Sequence, residues 1–213
     1  MQCISLNKLI PSVFEDEGMV SQVWLKDLTF EKGQRYLIEA ASGTGKTSLC
    51  SFIYGDRRDF RGDILFDNSS VRILDNNLLR SYRERNLSVV FQDLKLFPEL
   101  TALENVIVKN QLTNYKTIEQ IRQLFDYLGL SHRIDTPASK LSLGQQQRVS
   151  FIRALCQPFD FIILDEPISH LDMGNADIIS QILETELSER GASAIVTSLG
   201  VTLNIRYDKR LKL

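Results

Sequence analysis

One short stretch of the chain has residue types and spacing that could hold a phosphate group. Residues 40–47 read Ala-Ala-Ser-Gly-Thr-Gly-Lys-Thr, which fits the phosphate-binding loop pattern with alanine at its first position. Gly43 and Gly45 would let backbone N–H groups curl around an anion. Lys46 can reach the β- and γ-phosphates of a nucleotide, and the Thr47 hydroxyl can ligate Mg²⁺. A glycine-rich turn between a strand and a helix is the alternative that this pattern alone leaves open.

The flanking residues predict the elements that position this loop. The apolar run Tyr36-Leu37-Ile38 predicts a strand that leads into the loop, and the segment from Lys46 to Ile53 can open a helix after it. The start of that helix would point its positive end at the same anion. The order strand, loop, helix therefore favours phosphate binding over a simple turn.

Two carboxylates follow another apolar run. Phe161-Ile-Ile-Leu164 predicts a buried strand, and Asp165 and Glu166 would stand at its carboxyl end, where open α/β sheets bind ligands. Asp165 could hold Mg²⁺ directly or through water, because this ion takes carboxylate and hydroxyl oxygens beside phosphate and water. Glu166 would then be free to orient or deprotonate a water near a γ-phosphate. An exposed acidic turn after a core strand is the alternative for this pair taken alone.

Short apolar runs alternate with helical patterns along the chain, which predicts an α/β fold with a largely parallel sheet. The candidate strands are Val23–Phe30, Gln34–Glu39, Asp63–Phe66, Leu87–Phe91, Phe161–Asp165 and Ala192–Thr197. A terminal strand pair is expected between Leu203 and Leu213. We expect these elements to form one domain over residues 1–213.

The middle of the chain differs, because it contains no convincing strand between about Asp93 and Arg153. Capping boxes begin at Thr101 and Thr117; in each, a hydroxyl caps a backbone N–H and an acid or amide reaches back. Gly129 stands where a C-cap glycine belongs. We therefore predict a helical lobe at about 93–153, inserted into the α/β core. A further amphipathic helix is predicted to end at Gly191.

Composition narrows the class of protein. With 213 residues, 43% of them hydrophobic and 24% charged, the chain can bury a substantial core. A net charge of −2 argues against holding nucleic acid mainly by bulk electrostatics, so no nucleic-acid partner is expected. Cys3, Cys50 and Cys156 lie far apart, with no metal-ligand or disulfide spacing, which favours a reducing compartment. We see no signal-peptide pattern, and the apolar runs are too short to span a bilayer.

An ordered set of motifs resembles those of ABC-type ATPases. Leu141-Ser-Leu-Gly-Gln-Gln-Gln-Arg148 is similar to the signature motif, whose commonest form begins Leu-Ser-Gly-Gly-Gln. Phe91-Gln92-Asp93 resembles the Q-loop, and Ile168-Ser-His-Leu-Asp172 resembles the D-loop. The stretch from Leu96 to Val106 resembles the one that follows the Q-loop in the lipoprotein-releasing, macrolide-export and cell-division branch. The resemblance covers nearly the whole chain.

The resemblance implies a P-loop NTPase of ABC type with an N-terminal antiparallel β portion and a head-to-tail homodimer around two ATP molecules. The signature of one subunit would close on the nucleotide of the other, although Ser142-Leu-Gly-Gln145 is also a capping box and both interpretations can hold. The residues implied to contact nucleotide are Phe14, Ala40, Ala41, Ser42, Gly43, Thr44, Gly45, Lys46, Thr47, Ser48, Ser142, Leu143, Gly144 and Gln145. Glu166, Gln92 and Ser198 would take catalytic positions, and Thr47, Gln92 and Asp165 would hold Mg²⁺.

Other candidates carry a milder signal. Gln92 could simply be a polar strand end, whereas the family uses it to sense the transmembrane partner docked in the groove beside it. The arginines at 80, 83 and 85 suit either a solvated helix face or a partner contact. His132 and His170 are expected to be ordinary surface or D-loop positions. Asp172 matches the family residue that touches the opposite subunit.

Three positions depart from the commonest family pattern. Ala40 replaces the first loop glycine, which many phosphate loops tolerate. Leu143 replaces the third signature residue, usually glycine, and adds bulk next to the partner's nucleotide. Ser198 stands where the family usually has a switch histidine that contacts the γ-phosphate.

We expect an ATP-binding subunit of an ABC transporter that hydrolyses MgATP and drives a separate membrane subunit from the cytoplasmic face of the cell membrane. One rival is a non-transport ABC ATPase, although such proteins usually carry coiled coils, tandem domains or basic extensions that this chain does not show. A second rival is a regulatory or assembly module that closes on ATP but hydrolyses it poorly, which Ser198 would favour.

Overall fold

A computed structural model describes residues 1–14 and 20–213 as nine strands, six α-helices and three short 3-10 turns. The strands are β1 Cys3–Pro11, β2 Asp27–Glu31, β3 Arg35–Glu39, β4 Phe60–Phe66, β5 Ser69–Ser70, β6 Leu87–Val90, β7 Phe161–Asp165, β8 Ser193–Ser198 and β9 Lys209–Lys212. The helices are α1 Lys46–Tyr54, α2 Asn76–Arg85, α3 Ala102–Asn110, α4 Ile118–Tyr127, α5 Leu143–Leu155 and α6 Met173–Arg190. None of the helices in this part of the chain is long and apolar enough to cross a membrane.

The central element of the fold is a five-stranded parallel sheet with the strand order β6-β7-β8-β3-β9. Four of its strands, β6, β7, β8 and β3, are covered on both faces, and their side chains alternate between two apolar cores, whereas the edge strand β9 is mostly exposed. Parallel strands need this double cover, so their sequences read as continuous apolar runs. β8 lies between β7 and β3, which brings the carboxyl ends of all three strands to one edge. The phosphate-loop sequence, the Asp165–Glu166 pair and Ser198 all leave the sheet there.

A second sheet is antiparallel and has the order β2-β1-β4-β5, which confirms the expected N-terminal antiparallel portion. Its longest strand, β1, was not predicted. β1 alternates buried and exposed residues over its first half, but a register shift between Asn7 and Ile10 breaks the period-two pattern. Lys8 sits in the left-handed region there, with φ +46°.

Two strand predictions were wrong in extent. The prediction Val23–Phe30 began too early, because β2 starts only at Asp27. Leu25 has φ +59°, and the N–H groups of Val23 and Trp24 donate to Ser21 Oγ instead of to a neighbouring strand. The predicted terminal strand pair is a single strand, β9, which pairs with β3. Residues 203–208 turn across α6, whose side chains accept from the backbone N–H groups of Asn204 and Arg206.

The predicted helical lobe is confirmed: α3, α4 and α5 follow one another between β6 and β7 with no strand among them. All three helices begin with complete capping boxes, at Thr101, Thr117 and Ser142. Gly129, with φ +64°, closes α4 in a Schellman motif in which Leu130 N donates to Phe125 O. α3 packs against α5, so the lobe and the helix that follows the signature sequence share one apolar core.

Candidate nucleotide-binding site

The loop after β3 has the strand, loop and helix arrangement that its sequence predicted. Gly45 is the N-cap of α1 with φ +98°, a conformation that favours glycine. A Cβ at Gly45 would lie 3.0 Å from both Phe14 Cε2 and Trp24 Cζ2, so two aromatic rings press against the loop at this point. Trp24 Nε1 also donates to Thr44 O at 3.1 Å, and this hydrogen bond helps to hold the loop in place.

Lys46 is buried, with 5% of its side chain exposed, and its ammonium group lies inside the loop. Nζ donates to Ala41 O at 2.9 Å and Ala40 O at 3.3 Å, and it lies 3.3 Å from Glu166 Oε1. A buried ammonium group needs such partners because its desolvation is costly. A phosphate that enters here would compete with Glu166 for the same cation.

Thr47 and Gln92, the first two predicted Mg²⁺ ligands, are hydrogen-bonded to each other: Thr47 Oγ1 donates to Gln92 Oε1 at 2.9 Å. The third, Asp165, is 2% exposed and accepts from Thr197 Oγ1 at 2.6 Å. Within the described residues, no group of three or more His, Cys, Asp or Glu side chains could hold a metal ion. A hydroxyl, an amide oxygen and one carboxylate suit Mg²⁺, which takes its remaining ligands from phosphate and water.

A cavity of about 270 Å³ opens over the loop. Its lining residues are Phe14, Ser42, Gly43, Gly45, Lys46, Thr47, Ser48, Gln92, Glu166 and Leu199. Nine of these ten were predicted, and Leu199 was not. Ala40, Ala41 and Thr44 support the loop from within, where Thr44 Oγ1 donates to Ala41 O at 2.8 Å.

Glu166 has an unusual backbone, with φ +50°. Such a conformation costs a residue with a side chain about 1–3 kcal/mol and persists only where the surroundings impose it. Glu166 N donates to Thr197 Oγ1 at 3.3 Å, and Glu166 O accepts from Gln147 Nε2 at 3.1 Å. The bend turns the carboxylate out of the line of β7 and toward Lys46, where a γ-phosphate would lie.

Ser198, the residue at the switch position, uses its hydroxyl within its own loop. Ser198 Oγ donates to Val201 O at 2.7 Å and accepts from Gly200 N at 2.9 Å. The side chain is 2% exposed and lies outside the residues that line the phosphate-loop cavity. The neighbouring Leu199 lines that cavity instead, and 56% of it is exposed.

The residues of the signature sequence form the exposed start of α5, away from the loop cavity of the same chain. Ser142 Oγ accepts from Gln145 N at 3.3 Å, and Ser142 N donates to Gln145 Oε1 at 3.0 Å. Leu143 is 56% exposed. Gly144 is required by its surroundings, because a Cβ there would lie 2.8 Å from His170 O. The helix start and the Ile168–Asp172 loop therefore touch directly.

Comparison with known proteins decides the family. The family model described as ABC transporter matches residues 26–169, more than half of the chain. The chain belongs to the ABC transporter family. Its resemblance to the ATP-binding subunits, and the P-loop fold of ABC type, are thereby confirmed.

The curated relatives include several lipoprotein-releasing system ATP-binding proteins named LolD. The one from Syntrophotalea carbinolica is 33% identical over 86% of this chain and 82% of its own length. The one from Myxococcus xanthus is 29% identical over 100% of this chain and 96% of its own. These matches confirm the expected branch.

Two solved cassettes have the same fold. The dimeric structure of a bacterial ABC transporter cassette has a TM-score of 0.81 and 26% identity, and covers 97% of this chain and 94% of that chain. A dimeric cassette in a post-hydrolysis state bound to ADP and Pi has a TM-score of 0.77 and 27% identity, over 92% and 87%.

The other candidates of this ABC protein have structural partners. Arg80 pairs with Glu84 on an exposed face of α2, and Arg83 donates to the carbonyls of Tyr54 and Gly55. His132 and His170 are exposed, as expected. Asp172 is the N-cap of α6, where the hydrogen bond from Asn175 N holds the pKa of the carboxyl below its usual range.

Sequence reasoning missed four residues that hold the site in place. Trp24 braces the loop, and Thr197 joins Asp165 to the Glu166 backbone. Asn105 is fully buried in the turn after the Q-loop. Its Oδ1 accepts from Phe97 N, and its Nδ2 donates to the carbonyls of Phe97, Leu100 and Thr101. Gln147 contacts Glu166 and the D-loop. Only long-range packing gives these residues their role, so no local pattern could have found them.

Proposed function

We propose that residues 1–213 form one ATP-binding domain that binds MgATP in the cavity over the phosphate loop. As an ATP-binding subunit of an ABC transporter, the chain binds and hydrolyses ATP and drives a separate transmembrane subunit. The observation that supports this site best is the buried Lys46 ammonium group, held between the loop carbonyls and Glu166 at the start of α1. A cation in this position is ready to bind the terminal phosphates.

The roles of the site residues follow from their placement. Phe14 stands at the mouth of the cavity for the adenine, and residues 42–48 surround the phosphates. Thr47, Gln92 and Asp165 would hold Mg²⁺, which supplies charge neutralisation to the phosphates. Glu166 orients and deprotonates the attacking water, since its carboxylate lies beside Lys46. Ser198 contributes less than a histidine would, because its hydroxyl is bonded within its own loop.

The chain acts as a homodimer around two nucleotides. Ser142, Leu143, Gly144 and Gln145 do not line the loop cavity of their own subunit, so they are available to the nucleotide of the other. The capping box leaves a serine hydroxyl and the free N–H groups of a helix start at this surface, which suits an anion. The exposed Leu143 would pack near that nucleotide.

The transmembrane subunit is proposed to dock in a groove of about 290 Å³ beside the Q-loop, on the cytoplasmic side of the membrane. Exposed apolar side chains at its rim, Phe97, Val108 and Leu112, suit an amphipathic segment. Lys109 and Arg153 also line the groove, and burial and the charge of Arg153 lower the pKa of Lys109 to about 8. This basic lining favours a partner segment that carries a carboxylate.

Lys109→Glu should reduce capture of the transmembrane subunit from detergent-solubilised membranes about tenfold or more, because it replaces an attraction with a repulsion. Lys26→Glu, at an exposed position in the bend just before β2, is the matched control. Lys109 is cationic below about pH 8, in the company of Arg153, Arg83 and Glu84, so capture should also weaken as the pH rises through 8. Equal capture by both variants would contradict docking in this groove.

Lys46→Ala should weaken ATP binding by about 1.5–3 kcal/mol, a roughly ten- to hundredfold loss, because charge-assisted bonds to phosphate are strong. Isothermal titration calorimetry with MgATP measures this directly. Since Glu166 would lose its buried partner, the variant's fold should be checked by thermal unfolding. Equal affinity in a folded Lys46→Ala protein would contradict the proposed site.

A further inference from the structure

Gln147 lies on the signature helix α5, outside the nucleotide cavity, and is 2% exposed. Its amide joins two segments that follow β7. Nε2 donates to Glu166 O at 3.1 Å and to Ser169 Oγ at 3.3 Å, while Oε1 accepts from His170 N at 3.1 Å. One side chain therefore connects α5, the Glu166 backbone and the D-loop.

The contact to Glu166 matters because of that residue's left-handed backbone, with φ +50°. A residue with a side chain does not keep this conformation by itself. Two side chains hold its peptide groups: Thr197 Oγ1 accepts from Glu166 N, and Gln147 Nε2 donates to Glu166 O. Glu166 O also accepts from Ser169 N, at a longer 3.3 Å, so loss of the Gln147 donor would leave this carbonyl with one backbone partner, and the bend could relax.

The backbones of α5 and the D-loop also approach each other closely. Gly144 approaches the D-loop so closely that a Cβ would lie 2.8 Å from His170 O. Gln147 lies about one turn further along α5, and its Oε1 accepts a hydrogen bond from the N–H of the same His170. The Gly144 contact and the Gln147 hydrogen bonds therefore join α5 to both the D-loop and the Glu166 carbonyl.

We propose that Gln147 is a positioning residue for hydrolysis, which sets the Glu166 carboxylate through its backbone and ties it to the start of the signature helix. This inference rests on the proposed role of Glu166 as the general base. Gln147 does not line the nucleotide cavity, so its substitution should lower turnover and leave ATP affinity unchanged.

The test compares Gln147→Met with Gln157→Met in the full-length protein. Gln157 is a matched control, since it is 1% exposed and its Nε2 also donates to backbone carbonyls, those of Arg83 and Leu87, away from the cavity. We expect Gln147→Met to lower kcat at least tenfold with KM and ATP affinity unchanged within twofold. Gln157→Met should keep kcat within twofold, even where it lowers the melting temperature as much.

A double-mutant cycle separates positioning from general damage. In a Glu166→Gln background, Gln147→Met should cause no further loss of rate, because its effect passes through Glu166. An equal tenfold loss in that background, or equal kcat values for the two Met variants, would overturn the proposal. If Glu166→Gln itself leaves hydrolysis intact, the proposed role of Glu166 fails, and this result is distinct from a failure at Gln147.

Gln147→Asn provides a second variant in case the Met protein does not fold. It keeps the amide but shortens the side chain by one methylene group, so the asparagine Nδ2 can no longer span from α5 to Glu166 O. The same fall in kcat at constant KM is expected. A folded Gln147→Asn protein with the turnover of the wild type would contradict the positioning role.

Discussion

Glu166→Gln should lower the rate of ATP hydrolysis about 10²–10⁴-fold, the usual contribution of a positioned general base. The substitution keeps the shape of the side chain and removes its charge. Glu166 Oε1 lies 3.3 Å from Lys46 Nζ, so the carboxylate competes with the γ-phosphate for this cation and repels it. ATP affinity should therefore stay equal or increase, and the ATP-bound homodimer should accumulate.

Phosphate release measures the rate, and light scattering with MgATP measures the dimer. Glu189→Gln, at an exposed position near the end of α6, is the matched control for loss of one negative charge. The wild type should be largely monomeric under the same conditions, because we expect the dimer to open once ATP has been hydrolysed. A Glu166→Gln protein that remains monomeric at high concentration with MgATP would count against the nucleotide sandwich.

The second large effect concerns Ser198→His, which restores the family residue at the switch position. Loss of one electrostatic contact to a transition state commonly costs about 10²–10³ in rate, so the wild type should hydrolyse ATP slowly and the variant should be faster by up to this factor. Ser198 is 2% exposed and bonded to Val201 O, but it also lines a cavity of about 450 Å³ together with Glu166 and Leu199. An imidazole ring at position 198 therefore has space to point toward Glu166 and the nucleotide site. ATP affinity should be nearly unchanged, because the phosphate loop supplies most of the binding.

Val201→His is the control for this experiment, since it places a histidine on the same loop three residues away, at a position that is 67% exposed. Steady-state turnover and calorimetric affinity should be measured for both variants. A gain in turnover only at position 198 would support the account. If the wild type already hydrolyses ATP at ordinary rates and Ser198→His slows it, this chain uses another γ-phosphate sensor.

Local sequence patterns predicted the elements that form by short-range chemistry. The three capping boxes at Thr101, Thr117 and Ser142 are closed by hydrogen bonds within four residues, so their pattern sufficed to find three helix starts. The buried strands β7 and β8 appeared as apolar runs because both faces of the sheet are covered. β1 escaped notice, since its bulge interrupts the alternation by which an antiparallel strand is identified.

The sequence by itself determined the phosphate loop, the carboxylate pair and the order of the family motifs, because each is a run of neighbouring residues with its own chemistry. Only the tertiary structure decided which side chains hold those motifs in place. Trp24, Thr197 and Gln147 act on residues 19–31 positions away, through contacts that exist only once the sheet and α5 have packed. The orientation of Ser198 Oγ into its own loop was likewise decided by folding, because a hydroxyl donates to whichever acceptor the packed backbone brings within reach.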